Sequence, residues 1–172
     1  MSPYGRAKEH GQALVEFALA VPFLLILVFG IIDFGSALHA KIAITKAARE
    51  GARLAARGNI FTPEQVLQVV RDQSRSVDLA TQATVLLTTV RTDCCGLFSY
   101  STASLSGGAG SRLDAPTLQA LHQSLTASEP DYLRREEFVV LEILYNHEML
   151  AGLWGLTLPM YTYTVMPVSA PS

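Results

Sequence analysis

Charge is scarce in this chain, and cysteine scarcer. Only 16% of its 172 residues are Asp, Glu, Lys or Arg, the formal net charge is −2, and no block of five or six like charges occurs. The electrostatic footprint of a nucleic-acid-binding protein is therefore missing, and neither DNA nor RNA is expected as a partner. The two cysteines, Cys94 and Cys95, are adjacent, which excludes a multi-bridge disulfide framework and any CxxC metal or redox motif. No GxSxG or HExxH occurs. The run Gly107-Gly108-Ala109-Gly110-Ser111 lacks the Lys-Ser/Thr of a P-loop, and Leu113 stands where a dinucleotide fingerprint needs its third glycine. His10, His39, His122 and His147 are dispersed without metal-ligand spacing, so solvated or packing roles are expected and no cofactor is implied. Glu136, Glu137 and Glu142 could suggest paired carboxylates, but strand alternation puts Glu142 on the solvent face, and the reading is a solvated rim.

What the chain has in excess is apolar residues, 49% of the total, and the excess is concentrated in one place. From Ala13 to Ile32 it reads ALVEFALAVPFLLILVFGII, with Glu16 as the single charge. About 20 such residues form a helix of roughly 30 Å, the thickness of a bilayer core. Each Leu, Ile, Val or Phe favours insertion by about 0.3–0.6 kcal/mol, and together they outweigh one acid placed near the end. A core helix apolar on every face would need more surrounding protein than this chain supplies. A cleaved signal peptide fits poorly, because the apolar run is too long and only Gly35-Ser36-Ala37 follows as a weak cleavage site. Phe34, Leu38 and Ile42 continue the helical spacing, and alanines carry it to about Ala56, with Arg57 and Gly58 suited to the C-terminal end. The result is one rod of about 65 Å, half in lipid and half outside. Pro22 removes one helical hydrogen bond and is expected to bend the span.

Beyond the rod, Thr62-Pro63-Glu64-Gln65 supplies an N-cap, a proline at N1 and Gln at N3, opening a helix to about Val77 with Val66, Val69, Val70 and Val77 as its apolar stripe. Ala83–Thr92, Phe138–His147 and Leu156–Met166 read as strands, the last an edge or bulged strand because of Pro159. Ser99–Ser111, rich in Gly and Ser, reads as a mobile loop, and Pro116–Leu125 as a short helix. No repeat is evident. The fold class is α+β: a long N-terminal helix followed by a small head with a mostly antiparallel sheet.

At the start of the apolar run, Gly11-Gln12-Ala13-Leu14-Val15-Glu16-Phe17 looks like the processing site of type IV and Flp pilins and pseudopilins. The longer stretch, with Pro22, Asp33-Phe34-Gly35 and Ala47-Ala48-Arg49-Glu50-Gly51-Ala52-Arg53, resembles the TadE-like pseudopilin family of tight-adherence (Flp) pilus systems over about the first third of the chain. The resemblance implies a leader at residues 1–11, a transmembrane and stalk helix at 12–58, and an extracytoplasmic head at 59–172. It implies a non-catalytic, single-pass protein of the bacterial inner membrane with a cytoplasmic N-terminus. Its partners would be the lipid bilayer, other pilin-like subunits, the pilus assembly platform and a prepilin peptidase cutting between Gly11 and Gln12. Glu16, costly in lipid when unpaired, would fix helix register by meeting a neighbour's terminal ammonium. The Ala-rich face around Ala48 would pack on a partner helix. In an oxidising compartment Cys94 and Cys95 would form a vicinal or partner-linked disulfide. The alternative is a membrane-tethered or secreted hydrolase or ligand-binding domain with no pilus role.

Overall fold

The computed structural model describes residues 4–57, 61–92, 97–126, 137–149 and 156–168. Helix α1, Tyr4–Ala55, is unbroken over 52 residues with Pro22 inside it and Arg53 in its last turn. At 1.5 Å per residue it is about 78 Å long, longer than the expected rod because the helix also takes in residues before Gly11. From Gln12 to Ile32 only Val21 is partly covered. From Asp33 onward one stripe disappears from solvent: Asp33, Ala37, Ala40, Ile44, Ala47 and Gly51, spaced alternately by four and three. Two faces of opposite environment thus follow each other along one helix.

Helix α2, Pro63–Gln73, opens as its sequence requires. The Thr62 hydroxyl accepts from the Gln65 N–H, the Gln65 side chain accepts from the Thr62 N–H, and Pro63 occupies the first turn. Its burial stripe is Val66 and Val70. The helix stops short of Val77: Ser74 leaves helical geometry at φ −117°, with its N–H on the Arg71 carbonyl and its hydroxyl on the Val70 carbonyl at 2.7 Å, and Asp78 then caps a further short helix, α3, Leu79–Gln82. Strands β1 (Ala83–Thr92), β2 (Phe98–Ser106), β3 (Glu137–Glu148) and β4 (Thr157–Pro167) form one antiparallel sheet in the order β2-β1-β3-β4, with α4 (Ala115–Thr126) between β2 and β3 in the chain. Pro159 lies on an edge strand, as its missing donor demands.

Each face of the sheet carries its own core. On one, Ile44, Ala47, Ala48 and Ala52 of α1 and Val66 and Val70 of α2 cover Val85, Leu141, Ile143, Tyr145 and Met160. On the other, Leu118 of α4 covers Val90, Phe138 and Val140. Small residues on α1 permit the close approach: a Cβ added at Gly51 would lie 2.5 Å from Val70 Cγ2 and 2.7 Å from Leu141 Cδ2.

Three expectations are corrected. The Gly- and Ser-rich stretch is not a loop throughout. Phe98–Ser106 is strand β2, registered on β1 from Thr92↔Phe98 to Leu86↔Ser104. Phe98, Tyr100 and Thr102 favour extended backbone, and an edge strand with an open face needs no large apolar partners. Its end is set by Gly107, at φ +79°, where a Cβ would lie 2.7 Å from the Thr84 Cα. Second, the Ala face of α1 packs within this chain, on α2 and the sheet, with Ala47, Ala48 and Ala52 fully buried. Third, Glu142 is fully buried. Alternation does place it opposite the α1 face, but the 111–113 segment folds over it and removes it from water.

Candidate functional site

The largest anomaly of the surface is the N-terminal half of α1. Leu14, Phe17, Leu19, Phe23, Leu24, Ile26 and Ile31 are each more than half exposed, and none of the most apolar stretch of the helix is buried. Contiguous apolar surface of this extent marks an interaction site, and one uncovered on all sides over about 20 residues matches hydrocarbon. Within this half Glu16 is exposed and accepts from the Gln12 side-chain amide at 3.3 Å, one turn away. Gly11 lies on the same helix.

Below Ala37, the head meets the helix through polar atoms. Ser36 Oγ donates to the Asp33 carbonyl at 2.9 Å and lies 3.1 Å from His147 Nε2 at the end of β3. His147 Nδ1 is buried and has no hydrogen-bond partner among the described residues. One turn beyond Ala37, Lys41 Nζ donates to the Tyr161 carbonyl of β4. Asp33 itself is buried. The apolar run therefore ends where the head begins, and the joint is made by side chains of α1 gripping the β3–β4 hairpin.

A second polar cluster sits on the far face of the sheet. The Glu142 carboxylate accepts from the Tyr161 hydroxyl at 2.8 Å, from the Ser111 hydroxyl, and from the Arg112 backbone N–H at 3.2 Å, while the Arg112 guanidinium lies 5.2 Å from the Tyr161 ring centre. Burial first, and then the bond to Glu142, hold the Tyr161 phenol above its ordinary range. Three donors around one carboxylate tie the 111–113 segment to β3 and β4. The cluster anchors a connection, and the seat of any chemistry would need an open approach that Glu142, fully buried, does not offer.

Of the residues singled out in the sequence, Gly11, Gln12 and Glu16 lie on one helix, α1, with Gln12 and Glu16 exposed. Cys94 and Cys95 lie outside the described residues. Two of the histidines have packing partners, His122, which is 3.0 Å from Thr92 Oγ1 and stacks on Phe138, and His147, which meets Ser36, while His39 is exposed. Among the described residues, no group of His, Cys, Asp or Glu is placed to hold a metal ion. The Ser36–His147 and Lys41–Tyr161 contacts were not foreseeable, because each joins residues more than 110 positions apart in the chain.

No curated protein and no solved structure matches the chain. Residues 11–53, which comprise the uncovered half of α1 and most of its head-packing half, match the family described as TadE-like protein, so over this N-terminal segment the chain is similar to that family.

Proposed function

We propose that the protein is a single-pass membrane subunit of a tight-adherence (Flp) pilus system, a pseudopilin that works by binding rather than by catalysis. The carrying observation is the apolar half of α1, long enough to cross a bilayer and with none of it buried, inside a segment that matches the TadE-like family. In this reading residues 1–11 are a cytoplasmic leader, a prepilin peptidase cuts between Gly11 and Gln12, and residues from about Gln12 to Ile32 cross the inner membrane. The head then stands outside the cytoplasm, held by the Ser36–His147 and Lys41–Tyr161 contacts, and meets other pilin-like subunits or the assembly platform. Glu16 sits four residues from the new terminus, where a carboxylate at the hydrocarbon edge is favourable only with a cation near it. A terminal ammonium of a neighbouring subunit supplies that charge and sets the register of adjacent helices.

The test is N-terminal sequencing of the protein recovered from its membrane fraction. A start at Gln12 is expected. An intact leader would overturn the processing step, and a start near Leu38 would mean that the apolar run is a signal peptide and would overturn the anchor.

A further inference from the structure

Two contacts fix how β3 lies along α1. At Gly51 the helix touches Leu141, and at Ser36 it touches His147. Fifteen residues of helix, about 22 Å, are thus matched by six residues of strand, about 20 Å, and the two elements run in opposite directions. Two residues further, at Met149, β3 has advanced about 7 Å more. That is between four and five helical residues, to the level of Ile31 and Ile32. Met149 is paired there by its N–H to the Leu156 carbonyl at 3.3 Å, so the backbone at this level is hydrogen-bonded. Leu156 is 55% exposed and Leu158, opposite His147, 38% exposed. Ile31 and Ile32 belong to the apolar run itself. Leu156 therefore shares a level with the last turn of the span, and Leu158, opposite His147, lies at the level of Ser36, about 7 Å further out.

We propose that this end of the β3–β4 hairpin, at Met149, Leu156 and Leu158, is a second membrane contact that seats in the interfacial layer of the bilayer beside α1. The proposal rests on the reading of α1 as a membrane span. The occupant of the exposed leucines is lipid, because depth along α1 is what the two contacts determine, and that depth is the acyl–headgroup boundary. The local polar groups agree with it. Glu148 is exposed one residue nearer the head and meets the headgroup layer, and Lys41, further along α1, is outside it. The Met149 N–H, already paired with the Leu156 carbonyl, enters this layer without being orphaned. Two contacts with the membrane also restrict rotation of the head about the helix axis, which a single helix would leave free.

The experiment uses the full chain reconstituted in vesicles of phosphatidylcholine and phosphatidylglycerol, with Trp154→Phe as background so that one introduced tryptophan reports at a time. Leu156→Trp and, as a second position, Leu158→Trp should show blue-shifted emission and lose most of it to lipids brominated near the glycerol end of the chain. Leu24→Trp, in mid-span, should be quenched instead by lipids brominated near the methyl end. Leu125→Trp on α4 should keep its emission in both. If Leu24→Trp is quenched and neither hairpin position is, the hairpin contact is wrong while the span stands. If Leu24→Trp is not quenched, the span reading fails and this proposal with it. Quenching at Leu125→Trp equal to that at Leu156→Trp would also overturn it, because the head would then lie flat on the surface.

Discussion

A side chain at Gly51 has nowhere to go, since its first carbon would meet the branched end of Val70 and the tip of Leu141. Replacing a mid-helix glycine by alanine should gain about 1 kcal/mol of helix propensity, but overpacking a core costs about 1–3 kcal/mol. Gly51→Ala is therefore expected to be mildly destabilising and Gly51→Leu severely so, as read by urea midpoints. Tyr161 makes a pH prediction. Its phenol titrates above its unfolded value of about 10, so the folded chain holds the proton more tightly than the unfolded one. The stability this contributes is complete below about pH 10 and is lost as pH rises from there through the folded value. Tyr161→Phe should give a flatter stability curve than wild type on the alkaline side, and a parallel decline of both would refute the assignment. On the proposed reading Glu16 sets the register of neighbouring helices. Glu16→Gln keeps size and removes charge, so the protein should reach the membrane in normal amount and lose recovery of pilin-like partners. Normal recovery and normal surface pili at matched protein level would show that the carboxylate sets no register.

Elements were legible in proportion to how local their signals are. The capping box at Thr62 lies within four residues, and α2 begins where it says. Loss of that cap in Thr62→Ala should cost about 1 kcal/mol, measurable as a lowered thermal midpoint with unchanged circular dichroism at low temperature. Strands β1, β3 and β4 carried enough Val, Leu and Tyr to be read within a residue or two of their ends. β2 was not, because the extended preference of Phe98, Tyr100 and Thr102 is diluted by Ser99, Ser101, Ser104 and Ser106, and an edge strand on an open face is specified mainly by its pairing with β1. Glu142 was misplaced for a related reason. Alternation gives the face of a strand, and what covers that face is decided by Ser111 and Arg112, thirty positions away. The exposed span needed only a short window, whereas the joint of helix and head is made entirely of long-range contacts.

At the scale of the molecule, the rod and the head share one core. Ala37, Ala40, Ile44, Ala47, Ala48 and Ala52 belong to the same cluster as Val85, Leu141 and Ile143, so a cut near residue 58 separates stretches that are packed together. A chain cut to begin at Asp33 should be soluble without detergent and unfold cooperatively, since it keeps that cluster and sheds the uncovered half of α1. A chain begun at Asn59 should show strand signal with weak near-ultraviolet dichroism and dye binding, the marks of lost side-chain packing. Equal cooperativity in both would mean that the helix adds nothing to the head. The same sharing has a mechanical side. α1 passes from its bare half into the head as one unbroken helix, and β4 runs beside it in the same direction, since both oppose β3. Tension drawn between the bare end of the helix and the end of β4 therefore acts along their shared interface, loading its contacts in parallel instead of peeling them one by one. A pull on the rod reaches the sheet as shear.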